Sequence, residues 1–383
     1  MTTVDVGVVG AGIHGAAAAY HLARRGASVA IVERTFPAGG PTGRSSAICR
    51  AYYTDRFLAT CARDSIRMFE RFEEIAGVDA GHVRTGLYYL HSAEDADEAR
   101  ASIAQLNELG VETDVLEGGA LAEALLGFRL DDVALAAFER HAGYADPHAA
   151  TEGFFRKALE LGAQARLGRV ATGIDADEYS AALTLDDGER LECGSVLLAS
   201  GPWTRMLALQ VGADLPLTVE RHAVAKFAWA GAKPTPGFAD AAAGYYLRPE
   251  GEELFLAGGL TPEQQVDPDD FTAGIRDEEV ERWAAAITRR VPRLEVAESR
   301  GGWASLYDVS PDWQPVIGEI APHVFVDAGT SGHGFKLAPA LCDHVARMVL
   351  GERVDPGLAA FDPFRFEEGR RLPAGYGEAH ILG

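Results

Sequence analysis

The sequence predicts an α/β protein of two domains, one of which is assembled from segments that lie far apart along the chain. The first observation is length, because 383 residues exceed the usual size of a single hydrophobic core. The second is that strand–helix patterns recur at the beginning, in the middle and at the end, whereas residues from about 215 to 303 contain mainly longer strands. The third is a strand–helix–strand unit at the start, which is typical of parallel sheets.

This opening unit comprises a strand over Asp5–Val9, a glycine-rich turn over 10–15, a helix over Ala16–Arg25 and a strand over Ser28–Val32. Both strands are rich in valine and isoleucine, and alanine dominates the helix, so each element has an apolar face to bury. The apolar start lacks an early basic region. We therefore expect a buried strand there rather than a secretion signal.

Three glycines in the turn have the spacing G-x-G-x-x-G, which is the pattern of a dinucleotide-binding site. Gly10 allows the tight turn, Gly12 lets a pyrophosphate approach the helix N-terminus, and Gly15 lets the helix pack closely on the strand. Glu33 follows the second strand and can accept hydrogen bonds from ribose hydroxyls. The pattern predicts a dinucleotide but does not distinguish FAD from NAD.

Further elements follow from apolar periodicity and from glycine and proline breaks. Helices are predicted over Asp55–Ile75, Glu94–Leu109, Gly118–Leu125, His148–Leu161, Asp277–Val291 and Phe335–Leu350. Strands are predicted over Gly86–His91, Val170–Asp177, Ala181–Leu185, Arg190–Cys193, Ser195–Ala199, Val219–Phe227, Tyr245–Arg248, Leu254–Ala257 and Val324–Ala328.

Composition excludes several classes of partner. A formal charge of −22 disfavours nucleic acid and anionic membrane surfaces. The four cysteines are widely spaced, so we expect neither a metal site nor a disulfide framework, and a reducing cytoplasmic location fits them. Apolar runs stay below about 18 residues, so we expect no membrane span.

Four segments together identify a family resemblance. They are Arg44–Tyr53, Leu198–Trp203, Gly301–Gly318 and Gly329–Pro339. With the opening unit they resemble the D-amino acid oxidase superfamily of FAD enzymes, and within it the sarcosine oxidase and dimethylglycine dehydrogenase branch. The resemblance implies that the dinucleotide is FAD. It also implies a Rossmann-like FAD-binding domain beside a substrate domain with a large, mainly antiparallel sheet, an α/β (α+β) fold.

The resemblance divides the chain into discontinuous domains. The FAD-binding domain takes residues 1–85, 140–214 and 304–383, and the substrate-binding domain takes 86–139 and 215–303. The expected FAD-binding residues are Gly10, Gly12, Ile13, His14, Gly15, Glu33, Arg34, Arg44, Ser45, Ser46, Val170, Ala199, Gly201, Trp203, Gly332, His333, Gly334, Phe335 and Lys336. Ser305 stands where monomeric sarcosine oxidases have the cysteine that links FAD, so we expect non-covalent FAD.

Three residues are expected to act on the substrate. Arg50 and Lys336 match positions that hold the substrate carboxylate in sarcosine-oxidase-like enzymes, and Tyr307 matches a tyrosine near the substrate. Arginine offers a planar fork that binds a carboxylate through two hydrogen bonds, and lysine adds a point charge. One departure concerns oxygen, because Phe255 stands where the resemblance places the lysine that assists oxygen reduction.

The expected function is FAD-dependent oxidation of a C–N bond in an amino acid or N-alkyl amino acid by hydride transfer to flavin N5. The resulting imine hydrolyses, and oxygen is the favoured acceptor, with H2O2 formed. The substrate is a small carboxylated amine, and a homo-oligomer is possible. Three alternatives stay open: an FAD-dependent 2-hydroxy-acid dehydrogenase, the flavin subunit of a hetero-oligomeric sarcosine oxidase-like complex, and a simple NAD-binding protein.

Overall fold

A computed structural model describes residues 2–232 and 234–373. The last ten residues of the expected FAD-binding domain, 374–383, lie outside these described residues, as do Met1 and Lys233. The described chain forms two large sheets, a small three-stranded sheet and helices that cover them. This arrangement confirms the predicted mixed α/β fold class.

The helices of the described chain agree closely with those predicted. They are α1 Ile13–Arg24, α2 Arg56–Glu70, α3 Phe72–Ala76, α4 Ala96–Glu108, α5 Gly118–Ala124, α6 Pro147–Glu160, α7 Thr204–Ala208, α8 Asp277–Arg290 and α9 Gly334–Val349. The predicted helix Asp55–Ile75 divides at Arg71 into α2 and α3. Asp55 caps α2, because its side chain accepts a hydrogen bond from the Leu58 amide.

The strands are more numerous than those predicted. They are β1 Thr2–Val9, β2 Val29–Glu33, β3 Ile48–Cys49, β4 Val83–Arg84, β5 Leu87–His91, β6 Thr113–Leu116, β7 Leu135–Glu139, β8 Gly143–Tyr144, β9 Gln164–Leu167, β10 Ala171–Ala176, β11 Ala181–Leu185, β12 Arg190–Leu198, β13 Thr218–Ala228, β14 Phe238–Asp240, β15 Tyr245–Glu250, β16 Leu254–Gly259, β17 Glu298–Val309, β18 Val316–Ala321 and β19 Val324–Ala328. The two strands predicted on either side of Gly194 are one continuous strand, β12.

The first large sheet has a parallel centre in the order β9, β2, β1, β12, β19. β18 adds antiparallel to β19, while β11 pairs antiparallel with the first half of β12 and β10 extends that edge. α1 packs against both α6 and α9. The alanines from Ala16 to Ala19 are fully buried, and their small side chains let these helices approach closely.

The second large sheet has the order β17, β13, β16, β15, β14, β5, β7, β6. Its pairs are antiparallel except for β5 and β14, which are parallel. α8 covers one face, where Trp283 and Ile287 join a core with Phe227 and Phe255. The opposite face turns toward the first sheet.

The two sheets draw on different parts of the chain. β17 runs through the predicted boundary at residue 303 and continues in the second sheet to Val309. The domain boundaries stay a prediction. Among the described residues, every helix is too short or too polar to cross a membrane.

Candidate active site

A cavity of about 510 Å3 lies at the carboxyl ends of β1, β2 and β12. Val9, Val32 and Ala199 mark these strand ends in its wall, and β13 and β17 of the second sheet form the opposite wall. Ligands of α/β proteins bind in such crevices beyond the carboxyl ends of parallel strands. The fold therefore places one elongated site between the two sheets.

The structure brings most of the predicted site residues to this cavity. The predicted cofactor residues in its lining are Gly10, Gly12, Ile13, His14, Glu33, Arg34, Arg44, Ser45, Ser46, Val170, Ala199, Gly201, Trp203, Gly332, Gly334 and Phe335. Tyr307 lines the cavity as well. Gly15, His333, Lys336 and Arg50 lie behind the lining.

The glycine-rich turn leaves no room for side chains at two of its positions. Gly10 has φ +105°, and a Cβ there would overlap the carbonyl oxygen of Ala199. A Cβ at Gly15 would overlap the carbonyl oxygen of Gly10. A Cβ at Gly12 would lie 3.1 Å from its nearest neighbour, the Thr42 hydroxyl, so backbone forms the cavity wall there. A wall of this kind suits a pyrophosphate at a helix N-terminus.

One end of the cavity is built around Glu33 and a contact between the two halves of the chain. Glu33 accepts hydrogen bonds from the amides of Ala11 at 2.9 Å and of Thr35 at 2.8 Å, which fixes its carboxylate at the rim. Arg34 lies over the Trp203 ring at 3.9 Å. Asp269 accepts from Arg34 at 2.9 Å and from the Trp203 indole at 3.0 Å. These three side chains form a latch at the end where the adenosine is expected.

The N-terminus of α9 reaches the cavity through a glycine-rich loop that Asp308 holds. The Asp308 carboxylate accepts from the Gly329 amide at 2.6 Å, and its carbonyl accepts from the Ser331 amide at 2.9 Å. Gly332 has φ +82°, and a Cβ there would overlap the Tyr307 ring. The helix N-terminus, which favours negative charge, therefore lies directly beside Tyr307.

A histidine–glutamate pair on β13 faces the same end. His222 lines the cavity and stacks on Tyr307, with ring centroids 3.9 Å apart. Its Nε2 lies 3.2 Å from the Glu220 carboxylate, and both side chains are buried. Burial raises the pKa of Tyr307, so this phenol stays protonated.

Arg50 and Lys336 belong to a buried charged cluster with Glu139, beside the cavity. Arg50 donates to the carbonyl of Tyr52, and Glu139 accepts from the Ala51 amide at 2.7 Å. Lys336 lies on α9, and its Nζ is 3.4 Å from the His333 carbonyl oxygen. Burial and the positive charge of Arg50 hold the pKa of Lys336 well below its usual value, while burial raises the pKa of Glu139.

The positions of Ser305 and of the four cysteines bear on the expectation that FAD is bound without a covalent link. Ser305 lines the cavity. All four cysteines fall within the described residues; each is buried, and each lies outside the cavity lining.

The side chain of Phe255, which stands where the resemblance places the oxygen-assisting lysine, faces away from the cavity. Its ring stacks on Phe227 at 5.2 Å in the core under α8. Val224, which lines the cavity, pairs with Gly258, so the cavity-side face of β16 carries Gly258 and Leu256. A shift of one residue in a strand exchanges the two faces, so the register of β16 decides which of its side chains face the cavity.

Sequence reasoning missed several residues of the site: Glu220, His222, Tyr246, Asp269 and Asp308. A signal existed for the first two, because Glu220, His222 and Val224 alternate along a predicted strand and therefore share a face. Tyr246 forms a side-chain hydrogen bond with Ser46 on the same side of the sheet. Asp269 and Asp308 act through contacts distant in sequence, which local patterns do not reveal.

Comparisons with known proteins agree with this site. The chain is 26% identical over 378 residues to 4-methylaminobutanoate oxidase (formaldehyde-forming) of Paenarthrobacter nicotinovorans, covering 95% of this chain and 46% of that protein. It therefore spans about half the length of that relative. It is 25% identical over 377 residues to sarcosine oxidase subunit beta of Rhizobium meliloti (strain 1021), covering 95% of this chain and 89% of that protein.

A solved structure shares the fold. The crystal structure of L-proline dehydrogenase from P. horikoshii superposes with a TM-score of 0.86 and 24% identity, covering 97% of this chain and all of that one. A family model described as FAD dependent oxidoreductase matches residues 5–348. These findings confirm the predicted resemblance and identify FAD as the cofactor. The chain belongs to the family of FAD-dependent oxidoreductases.

Proposed function

We propose that this protein uses FAD to oxidise a C–N bond of an amino acid or N-alkyl amino acid. The observation that carries the proposal is the buried cluster of Arg50, Lys336 and Glu139 beside the cavity. FAD, when bound, accepts a hydride from the carbon next to nitrogen. The substrate is thereby oxidised to an imine, which water hydrolyses to a carbonyl compound and an amine.

The charges of this cluster favour a carboxylated substrate. It combines two basic groups with one carboxyl group, and burial makes excess positive charge costly. A substrate carboxylate would supply the second negative charge and restore the pKa of Lys336 toward its usual value. For this role the carboxylate must reach Arg50, which lies outside the cavity lining. Tyr53 belongs to the same surroundings, with its ring 4.6 Å from the Arg50 guanidinium.

The names of the relatives support this substrate class. A 4-methylaminobutanoate oxidase, a sarcosine oxidase subunit and a proline dehydrogenase each act, by name, on a carboxylated secondary amine. We propose the same class here, with oxygen as the acceptor and H2O2 as its product. We further propose that FAD is bound without a covalent link, which the serine at position 305 and the placement of all four cysteines outside the cavity lining support.

A second candidate function is oxidation of a 2-hydroxy acid on the same cofactor. The pair of His222 and Glu220 favours it, since an alcohol must lose its hydroxyl proton as the hydride leaves and a histidine backed by a carboxylate can accept that proton. An amine that is already neutral needs no such base. The role of His222 therefore separates the two candidates.

The test is an anaerobic titration of the purified chain with N-methyl amino acids, cyclic amino acids and 2-hydroxy acids. We expect the oxidised flavin spectrum to bleach with a member of the amino acid classes. Bleaching by 2-hydroxy acids alone would replace the first candidate with the second. Admitting air then shows whether oxygen restores the spectrum, and a chain that is active alone needs no partner subunit. Precipitation with acid releases the flavin if it is bound without a covalent link.

A further inference from the structure

His14 is held through both of its ring nitrogens by groups that accept hydrogen bonds. Nδ1 lies 2.8 Å from a carboxylate oxygen of Asp327, and Nε2 lies 3.0 Å from the carbonyl oxygen of Gly334. A carbonyl oxygen can only accept, so Nε2 must carry a proton. An ionised Asp327 also only accepts, so Nδ1 must carry one as well. Both bonds are made when the ring is an imidazolium.

Titratable groups from three elements surround this ring. Asp327 is on β19 and its side chain is wholly buried, Asp308 is at the end of β17, and the Cys342 thiol of α9 lies 3.6 Å from Asp327. Burial alone would lower the pKa of His14, but the two carboxylates outweigh burial and raise it. Cys342 stays a neutral thiol because burial raises its pKa.

The His14 ring lies between the N-termini of two helices, α1 and α9. His14 belongs to the first turn of α1, and Gly334 is the first residue of α9. A Cβ at Gly334 would lie 2.9 Å from the His14 Nε2, so the two helix ends meet through this ring. Both residues line the cavity, and His14 is the more exposed member of the pair, since its side chain is 10% exposed and that of Asp327 is 0% exposed.

We propose that Asp327 keeps His14 as an imidazolium in the wall of the FAD cavity, so that a buried cation joins two helix N-termini in attracting the anionic groups of the cofactor. This inference rests on the FAD site and goes beyond the proposed substrate. His14 is then a residue of cofactor binding, and Asp327 is a positioning residue that acts through it. Helix N-termini already favour anions, and the cation strengthens this preference.

The direct test is nitrogen NMR of the ring in the FAD-loaded wild-type protein labelled with 15N-histidine, with His14→Asn used to assign the signal. We expect both nitrogens of His14 to be protonated at neutral pH and to stay so above the ordinary histidine pKa of about 6.5. A proton that rests on Asp327 would give the same distances but a neutral ring. A neutral ring at pH 6 would overturn the proposal without any variant having to fold.

Affinity for FAD gives a second readout that does not depend on catalysis. We expect Asp327→Asn to weaken FAD binding to the apoprotein by about 2- to 30-fold at neutral pH. The same substitution should also lower the pH at which the affinity for FAD declines. Cys342→Ala is the matched control, because it removes a neighbour of the pair and keeps both partners. An Asp327→Asn protein that binds FAD like wild type from pH 6 to 9 would contradict the proposal.

Discussion

The imidazole of His222 stacks on the phenol of Tyr307, with ring planes inclined by 18° and centroids 3.9 Å apart. The stack joins β13 to β17, and both rings line the cavity. Gly332, in the loop before α9, also lies against the Tyr307 ring. The stacked rings of His222 and Tyr307 and the N-terminus of α9 thus meet at one end of the FAD cavity, with the buried charged cluster of Arg50, Lys336 and Glu139 beside it.

Replacement of His222 separates amine from alcohol oxidation. We expect His222→Gln to lower the rate of flavin reduction by an amino acid less than about 10-fold, because a neutral amine needs no base. Loss of a required base would instead cost about 100- to 10,000-fold. Rapid-reaction measurement of flavin reduction under anaerobic conditions gives the rate, and a loss of the larger size would support the 2-hydroxy-acid candidate.

Replacement of Arg50 tests the binding of the substrate carboxylate. We expect Arg50→Ala to raise KM for carboxylated donors about 10- to 100-fold, since hydrogen bonds to charged groups contribute about 1.5–3 kcal/mol. Arg56→Ala is the control, because Arg56 forms an exposed ion pair with Glu108. Steady-state kinetics of the two variants give the comparison, and equal KM values for Arg50→Ala and wild type would refute this role of Arg50.

Replacement of Gly332 tests the contact with Tyr307. Gly332→Ala forces a non-glycine residue to φ +82° and into the Tyr307 ring, so we expect FAD affinity and stability to fall together, with about 1–3 kcal/mol lost. Gly351→Ala shares the positive φ, at +69°, but points into open space. It should lose about 1–2 kcal/mol of stability and keep its affinity for FAD. Similar FAD dissociation constants for the two variants would show that the ring contact is unimportant.

Acid stability depends on Asp343, which ties α9 to α1. Burial alone would raise the pKa of this carboxyl, but hydrogen bonds from His21, Arg347 and Arg25 lower it far below its usual value. A lowered folded-state pKa stabilises the protein above the unfolded value of about 4, and this contribution disappears as the pH falls through the folded value. We therefore expect Asp343→Asn to be less stable than wild type at pH 7 and the difference to shrink below about pH 4.

Urea denaturation at several pH values measures this difference. Asp64→Asn is the control, because Asp64 forms a more exposed ion pair with Arg67 and such pairs contribute at most about 1 kcal/mol. A gap between wild type and Asp343→Asn that stays constant from pH 7 to pH 3 would mean that Asp343 does not act through its charge.

The parts of the site that are contiguous in sequence were predictable. The glycine-rich turn, Glu33 at the end of β2 and the loop before α9 can each be recognised by composition and spacing, because backbone geometry there requires glycine. The latch of Arg34, Trp203 and Asp269 was not predictable, since it joins residues more than 60 positions apart through packing alone.

The strands likewise divide into those that the sequence pattern predicts and those that it does not. Apolar strands such as β1 and β19 were predicted, whereas β17 starts with Glu298-Ser299-Arg300 and two glycines and has no such signal. Its pairing with β13 overrides that weak local preference. The direction in which the Phe255 side chain points was not predictable either, because only the register of β16 against β13 reveals which side chains face the cavity.

The most direct test of the central claim compares two donors that differ only in the carboxylate, such as proline and pyrrolidine or sarcosine and dimethylamine. Each donor is mixed anaerobically with the purified flavoprotein, and the rate of flavin bleaching is recorded against donor concentration. The buried cluster of Arg50 and Lys336 predicts that only the carboxylated member of a pair reduces the flavin at low concentration. Equal reduction by both members would contradict carboxylate recognition and, with it, the proposed oxidation of amino acids.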